Sequence, residues 1–209
     1  MCPGATTQFC GPAGQAGYSW TIAGGGTIIG AANQQCVNVQ ASGSCNTTYT
    51  LTLTVGVGAC VSTCTKTVTV QDNTAPVITC PTVTSPIECP ATPNFGTATA
   101  TDACDGTPTI TSNDVTTPGV CPQEYSVTRT WTATDDCGNT STCSRTISVT
   151  DNTAPVITCP TVTSPIECPA TPSFGAATAT DACDGTPTIT SNDVTTPGVC
   201  PQEYSVTRT

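Results

Sequence analysis

The chain has 209 residues, with 16 Cys, 18 Pro, 18 Gly and 48 Thr against 2 Leu, 1 Lys and no His. That bias toward β-branched residues excludes a helical or α/β protein, and the cysteine content is that of a disulfide scaffold, not of a cytosolic enzyme. With 4 basic and 14 acidic residues the net charge is -10, which argues against nucleic acid and anionic lipid surfaces as partners, and no apolar run reaches the roughly 18 residues of a membrane helix.

Taken in chain order, the elements are legible by alternation. Tyr18 and Trp20 are expected in the core of an N-terminal module. Residues 50–55 place Leu51, Leu53 and Val55 on one strand face and Thr on the other, and 67–70 repeat the pattern. Further on, 126–133 is the longest expected strand and 146–149 closes its module, with Phe95, Tyr125 and Trp131 as large core residues. Asp105 with Gly106, residues 117–119 and residues 137–139 read as turns.

Self-comparison organises the rest. Residues 72–130 recur as 151–209 with two changes, Ser173 for Asn94 and Ala176 for Thr97, so the period is 79 residues. The chain divides into an N-terminal module (1–71), a complete repeat (72–150) and a second copy (151–209) that is expected to be cut short. Met1 is followed directly by Cys2, Pro3 and Gly4, with no secretory leader; an oxidised chain must be exported, so the expectation is an excerpt of a longer precursor holding further copies. Seven or so short strands per repeat, with turns every 8 to 12 residues, fit an all-β, disulfide-stapled series of immunoglobulin-like sandwiches.

The order DNTAPVITCP, TATDAC, TWTATDDCGNTSTCSRTISVTD within 72–209 resembles the hyalin repeat and, more closely, the repeats of giant Bacteroidota surface adhesins, gliding-motility adhesins among them. Residues 1–71, with GYSWTIAGGGTI and YTLTLTV, are similar to PKD-like modules, although Ala23 to Gly26 stand where acidic residues are usual. The resemblance implies an extracellular stalk or filament on a bacterial cell surface. It also implies partnership with neighbouring repeats and other copies in a fibre, and a tip that carries adhesion. The alternative is that the modules themselves grip glycan or protein.

An even number of cysteines per complete module points to internal pairs. The first and last strands of such sandwiches lie side by side, which pairs Cys80 with Cys143. Cys104 and Cys137 both follow a Thr-Asp stretch and are paired next. Cys89 with Cys121 then remains, with Cys168 and Cys200 as its copy. This leaves Cys159 and Cys183 expected to be unpaired. Cys36 with Cys45 is the local pair of the N-terminal module, and the pairing of Cys2, Cys10, Cys60 and Cys64 stays open. Paired zinc knuckles are absent. Without His there is no Ser-His-Asp arrangement, and catalysis is not expected. The acidic turns have two readings. Asp and Asn at turns bond their own backbone. Alternatively they hold calcium at module junctions, with Asp72, Asn73, Asp102, Asp105, Asp135, Asp136, Asp151 and Asn152 as candidate ligands. The Asp-Asn linkers at 72–73 and 151–152 resemble calcium-holding linkers of cadherins.

Overall fold

The structure, a computed structural model, describes residues 1–121 and 123–209, which form strands and no helix. The N-terminal module contains β1 (Thr6–Cys10), β2 (Tyr18–Gly24), β3 (Gly26–Ile29), β4 (Cys36–Ala41), β5 (Thr47–Val57) and β6 (Cys60–Val70). They form two antiparallel sheets, β1-β4-β3 and β2-β5-β6.

Alternation explains why these sheets face each other. Tyr49, Leu51 and Leu53 point inward from β5, meet Val37, Val39 and Ala41 from β4, and cover Trp20 of β2. The indole N–H of Trp20 donates to the Gln34 carbonyl at 2.9 Å, so its polar handle is satisfied. On the outer face Thr50, Thr52 and Thr54 oppose Thr67, Thr65 and Thr63, and the Thr50 and Thr67 hydroxyls lie 3.3 Å apart. Such threonine ladders give the abundant Thr a cross-strand role. Gly58 tips the β5–β6 hairpin at φ +61, the positive angle that a two-residue II′ turn requires at its first central position.

The complete repeat contains β7 (Val77–Thr79), β8 (Ile87–Glu88), β9 (Thr99–Thr101), β10 (Thr109–Pro118), β11 (Tyr125–Thr134) and β12 (Thr140–Thr150). Its sheets are β7-β9 and β10-β11-β12-β8, in which β8 joins β12 in parallel, with Ile87 opposite Val149. The strands expected at 126–133 and 146–149 lie within β11 and β12. Among the described residues six strands form where seven or so are expected, because 80–98, rich in Pro, supports only the two residues of β8. Phe95, Ala98, Trp131, Ala133, Ile147 and Val149 are buried. Tyr18 and Tyr125 are half-buried and lie at core margins instead; the Tyr18 hydroxyl donates to the Pro12 carbonyl at 2.7 Å, which holds the ring tip at the polar edge.

The second copy contains β13 (Val156–Thr158), β14 (Thr178–Thr180), β15 (Asp193–Pro197) and β16 (Tyr204–Arg208), in two-stranded sheets β13-β14 and β15-β16. The fold is thus all-β and disulfide-stapled, of the sandwich kind expected. Compactness groups the chain into two units. One is Met1–Thr82 with Gly96–Asp114 and Arg129–Arg145. The other is Val83–Phe95 with Val115–Thr128 and Thr146–Thr209.

Candidate functional site: stapled acidic turns

In the first unit, three acidic segments converge. Asp72 opens the linker after β6, Asp102 and Asp105 form the turn after β9, and Asp135 and Asp136 form the turn after β11. Each turn is built by a carboxylate bonding its own backbone. Asp72 Oδ1 accepts from Thr74 N at 2.9 Å. Asp102 Oδ1 accepts from Cys104 N at 2.7 Å and Asp105 N at 3.1 Å. Asp135 Oδ1 accepts from Cys137 N at 2.9 Å and Asn139 N at 2.8 Å. These are Asx turns, as the turn-chemistry reading expects.

The turns are also tied to one another. Asp105 Oδ2 accepts from Asp136 N at 3.1 Å. The Asn139 amide donates to Asp135 Oδ2 at 2.8 Å and to the Asp72 carbonyl at 3.0 Å. Asn139 is not one of the eight candidate ion ligands of the sequence, where it stands out only as part of the turn at 137–139 and of an Asn-Thr-Ser glycosylation pattern. Burial pushes the Asp135 carboxyl up, but the bonds from Asn139, Cys137 and Gly138 outweigh it and hold the group below its ordinary value.

One polar atom breaks this satisfied pattern. Asp72 is 8% exposed, and its Oδ2 is buried with no hydrogen-bond partner. Asp72 and Asp102 each present a carboxylate oxygen within 4.8 Å of the other. Asp72, Asp105, Asp135 and Asp136 line one cavity of about 250 Å³ with Gly43 and Cys137. The structure therefore brings together five of the eight candidate ion ligands. Asn73 is exposed. Asp151 and Asn152 belong to the second unit, where the Asn152 backbone and side chain donate to Glu88 at 2.8 and 3.0 Å. Those two bonds, backbone first, hold the Glu88 carboxyl below its ordinary value. Asp181, the copy of Asp102, also has a buried Oδ2 without a partner.

The disulfides differ from most of the pairs read in the sequence. Cys80–Cys143 is bonded, with Cα atoms 5.9 Å apart, although β12 hydrogen-bonds to β8 and not to β7. Cys104 does not pair with Cys137: it bonds Cys2, and Cys137 bonds Cys45. The two turns are neighbours, but each cysteine meets one from the N-terminal module. Cys36 does not pair with Cys45. It sits directly opposite Cys10 in the β1–β4 register and bonds it, with Cα atoms 4.0 Å apart; a cross-strand neighbour outcompetes sequence proximity. Cys89 does not pair with Cys121: it is buried with Cys183 and bonded to it, so Cys183 is not unpaired. Cys121, Cys159, Cys168 and Cys200 are exposed thiols, as are Cys60 and Cys64. Cys168–Cys200 does not form. Five disulfides place the folded chain in an oxidising environment rather than a reducing cytosol.

No family model and no curated protein matches the chain. Among solved structures it is similar to extracellular cadherin domains 1–4 of protocadherin gamma B7, at 14% identity and a TM-score of 0.31, covering 98% of this chain and 62% of that one.

Proposed function

We propose that the chain is a load-bearing segment of an extracellular stalk or filament, of the kind that the hyalin-like repeats imply for bacterial surface adhesins, with a mechanical and not a catalytic role. The observation that carries this reading is covalent. The shortest bonded path from Met1 to Thr209 runs through Cys2–Cys104, back along the chain to Cys89, across to Cys183 and on to Thr209. Less than a quarter of the 209 residues lie on it, so tension applied at the ends bypasses most of the fold. Disulfides that run from one sequence module to the next transmit force without asking hydrogen bonds to carry it.

The test is single-molecule extension. At up to about 3.6 Å per residue the oxidised chain stops near about 150 Å, and the reduced chain reaches about 700 Å. An oxidised chain that extends as far as the reduced one contradicts the reading.

Calcium is part of the same proposal. The donors at the acidic turns are oxygens, His is absent, and Cys104 and Cys137 are oxidised, so the site suits a hard divalent cation and not zinc. Asp72 Oδ2 is the oxygen left for it. At a hundredfold excess over Kd, calcium adds about 2.7 kcal/mol, a rise in Tm of roughly 5–10 °C for a chain of this size. Asp72→Asn keeps the bond from Thr74 N and removes the charge, and is expected to abolish the calcium-dependent rise. A native chain whose melting is the same in calcium and in chelator leaves the acidic turns with turn geometry alone.

A further inference from the structure

The repetition of the sequence supplies an internal comparison that assigns a role to one exposed thiol. Cys104 and Cys183 are the same residue in successive copies, each inside Thr-Asp-Ala-Cys-Asp-Gly. Both bond backward into the preceding module, Cys104 to Cys2 and Cys183 to Cys89. The complete repeat has a second backward link, in which Cys137 of its Asp-Asp-Cys-Gly-Asn motif bonds Cys45. The complete repeat therefore uses two cysteines to hold the module before it.

The preceding module must offer two acceptors. For the second copy that module is the complete repeat, where Cys80 and Cys143 bond each other, Cys104 and Cys137 reach backward, and Cys89 already holds Cys183. Cys121 is the one thiol left in that repeat.

Its surroundings match those of the link it would copy. Asp72, the first residue of the complete repeat, lines a cavity with Cys137, the cysteine bonded to Cys45. Asp151 is the copy of Asp72, and its charge acts on Cys121: Glu124 first, then burial, then Asp151 push that thiol above its ordinary value. In both settings the linker aspartate also lies against the backward-reaching cysteine: a carboxylate oxygen of Asp72 is within 4.8 Å of the Cys104 sulfur, and one of Asp151 is within 4.8 Å of the Cys183 sulfur.

We infer that Cys121 is the docking thiol for the Asp-Asp-Cys-Gly-Asn cysteine of a following complete copy of the repeat, so that every repeat-to-repeat junction is closed by two disulfides. Bond formation couples two thiols, and two protons and two electrons pass to a disulfide oxidant such as oxidised glutathione, which leaves as two reduced molecules. The inference rests on the pairings and not on the stalk reading; a chain with no mechanical role would form the same link.

The experiment extends the full chain at Thr209 by a copy of residues 131–150, refolds it in a glutathione redox buffer, alkylates it and maps its peptides without reduction. The expected result is a link from Cys121 to the seventh added residue, the counterpart of Cys137. A second link is expected from Cys159 to the thirteenth, the counterpart of Cys143. Cys60, Cys64, Cys168 and Cys200 then remain as the alkylated set. Cys121→Ser in the extended chain should leave the seventh added residue alkylated while Cys89–Cys183 persists. Cys121 recovered alkylated from the oxidised extended chain, or linked to any other cysteine, overturns the inference.

Discussion

Replacing Cys2, Cys45, Cys104 and Cys137 together by serine is expected to lower the melting temperature of the first unit by roughly 10–20 °C. The two staples close loops with sequence separations of 102 and 92 residues. In chain-entropy terms one loop near 100 residues is worth about 4.7 kcal/mol. The pair falls short of twice that, because the loops overlap and the first closure already shortens the second. All four must change. If only Cys2 and Cys45 are replaced, Cys104 and Cys137 are left on turns joined by the bond from Asp136 N to Asp105 Oδ2, where they can oxidise to each other and mask the loss. Calorimetry of the native and fourfold variants checks the result, with reduced native protein as the reference. A shift below about 3 °C, or roughly 1 kcal/mol, would mean that the turns hold by hydrogen bonds alone.

The strands and core were largely legible in the sequence because alternation is a local signal. The β5 sequence, with Thr between Tyr49, Leu51, Leu53 and Val55, admits one inward face, and the structure buries the first three of these apolar residues. Trp20, Phe95 and Trp131 are expected in the core as large aromatic residues, and all three are buried. The disulfides were mostly not legible, because pairing is decided by which cysteines meet after folding. Cys80–Cys143 lies within one module, so a search inside the module finds it even though β7 and β12 share no sheet. Cys2–Cys104, Cys45–Cys137 and Cys89–Cys183 join residues of successive modules, and counting cysteines within a module conceals them. The 79-residue repeat held a clue. Cys104 and Cys183 share a sequence context, so a correct scheme must treat both alike. The scheme read from sequence did treat them alike, giving each the Cys-Gly-Asn cysteine of its own repeat, 33 residues on and past Thr209 for Cys183; the error common to both is the direction, since each bonds into the module before it. The acidic turns were found from composition, but only the fold separates Asp72, with its unpartnered oxygen, from Asn152, which is spent on Glu88.

The same phenyl ring in the two copies is expected to differ in worth by about 3 kcal/mol, because full burial of Phe against its truncation to Ala is worth about 3–5 kcal/mol in a packed core. Phe95 is 3% exposed and packs in a repeat whose Trp131, Ala133, Ile147 and Val149 are all buried. Phe174 is half-buried. It lines an open apolar cavity of about 350 Å³ with Ile157, Val162, Ala177, Ile189 and Val206. The Arg208 guanidinium lies 4.8 Å from its ring centroid. That stacking is worth about 0.5–1 kcal/mol at an exposed position, and truncating a ring that already faces a void leaves little new cavity to form. Phe95→Ala should therefore lower the melting temperature by on the order of 10 °C, and Phe174→Ala by no more than about 3 °C. Thermal melts of the two variants, matched in redox state so that Cys89–Cys183 is intact in both, give the comparison. Equal shifts would mean that the second copy is as well packed as the first, since only a ring already surrounded by side chains can be missed that much.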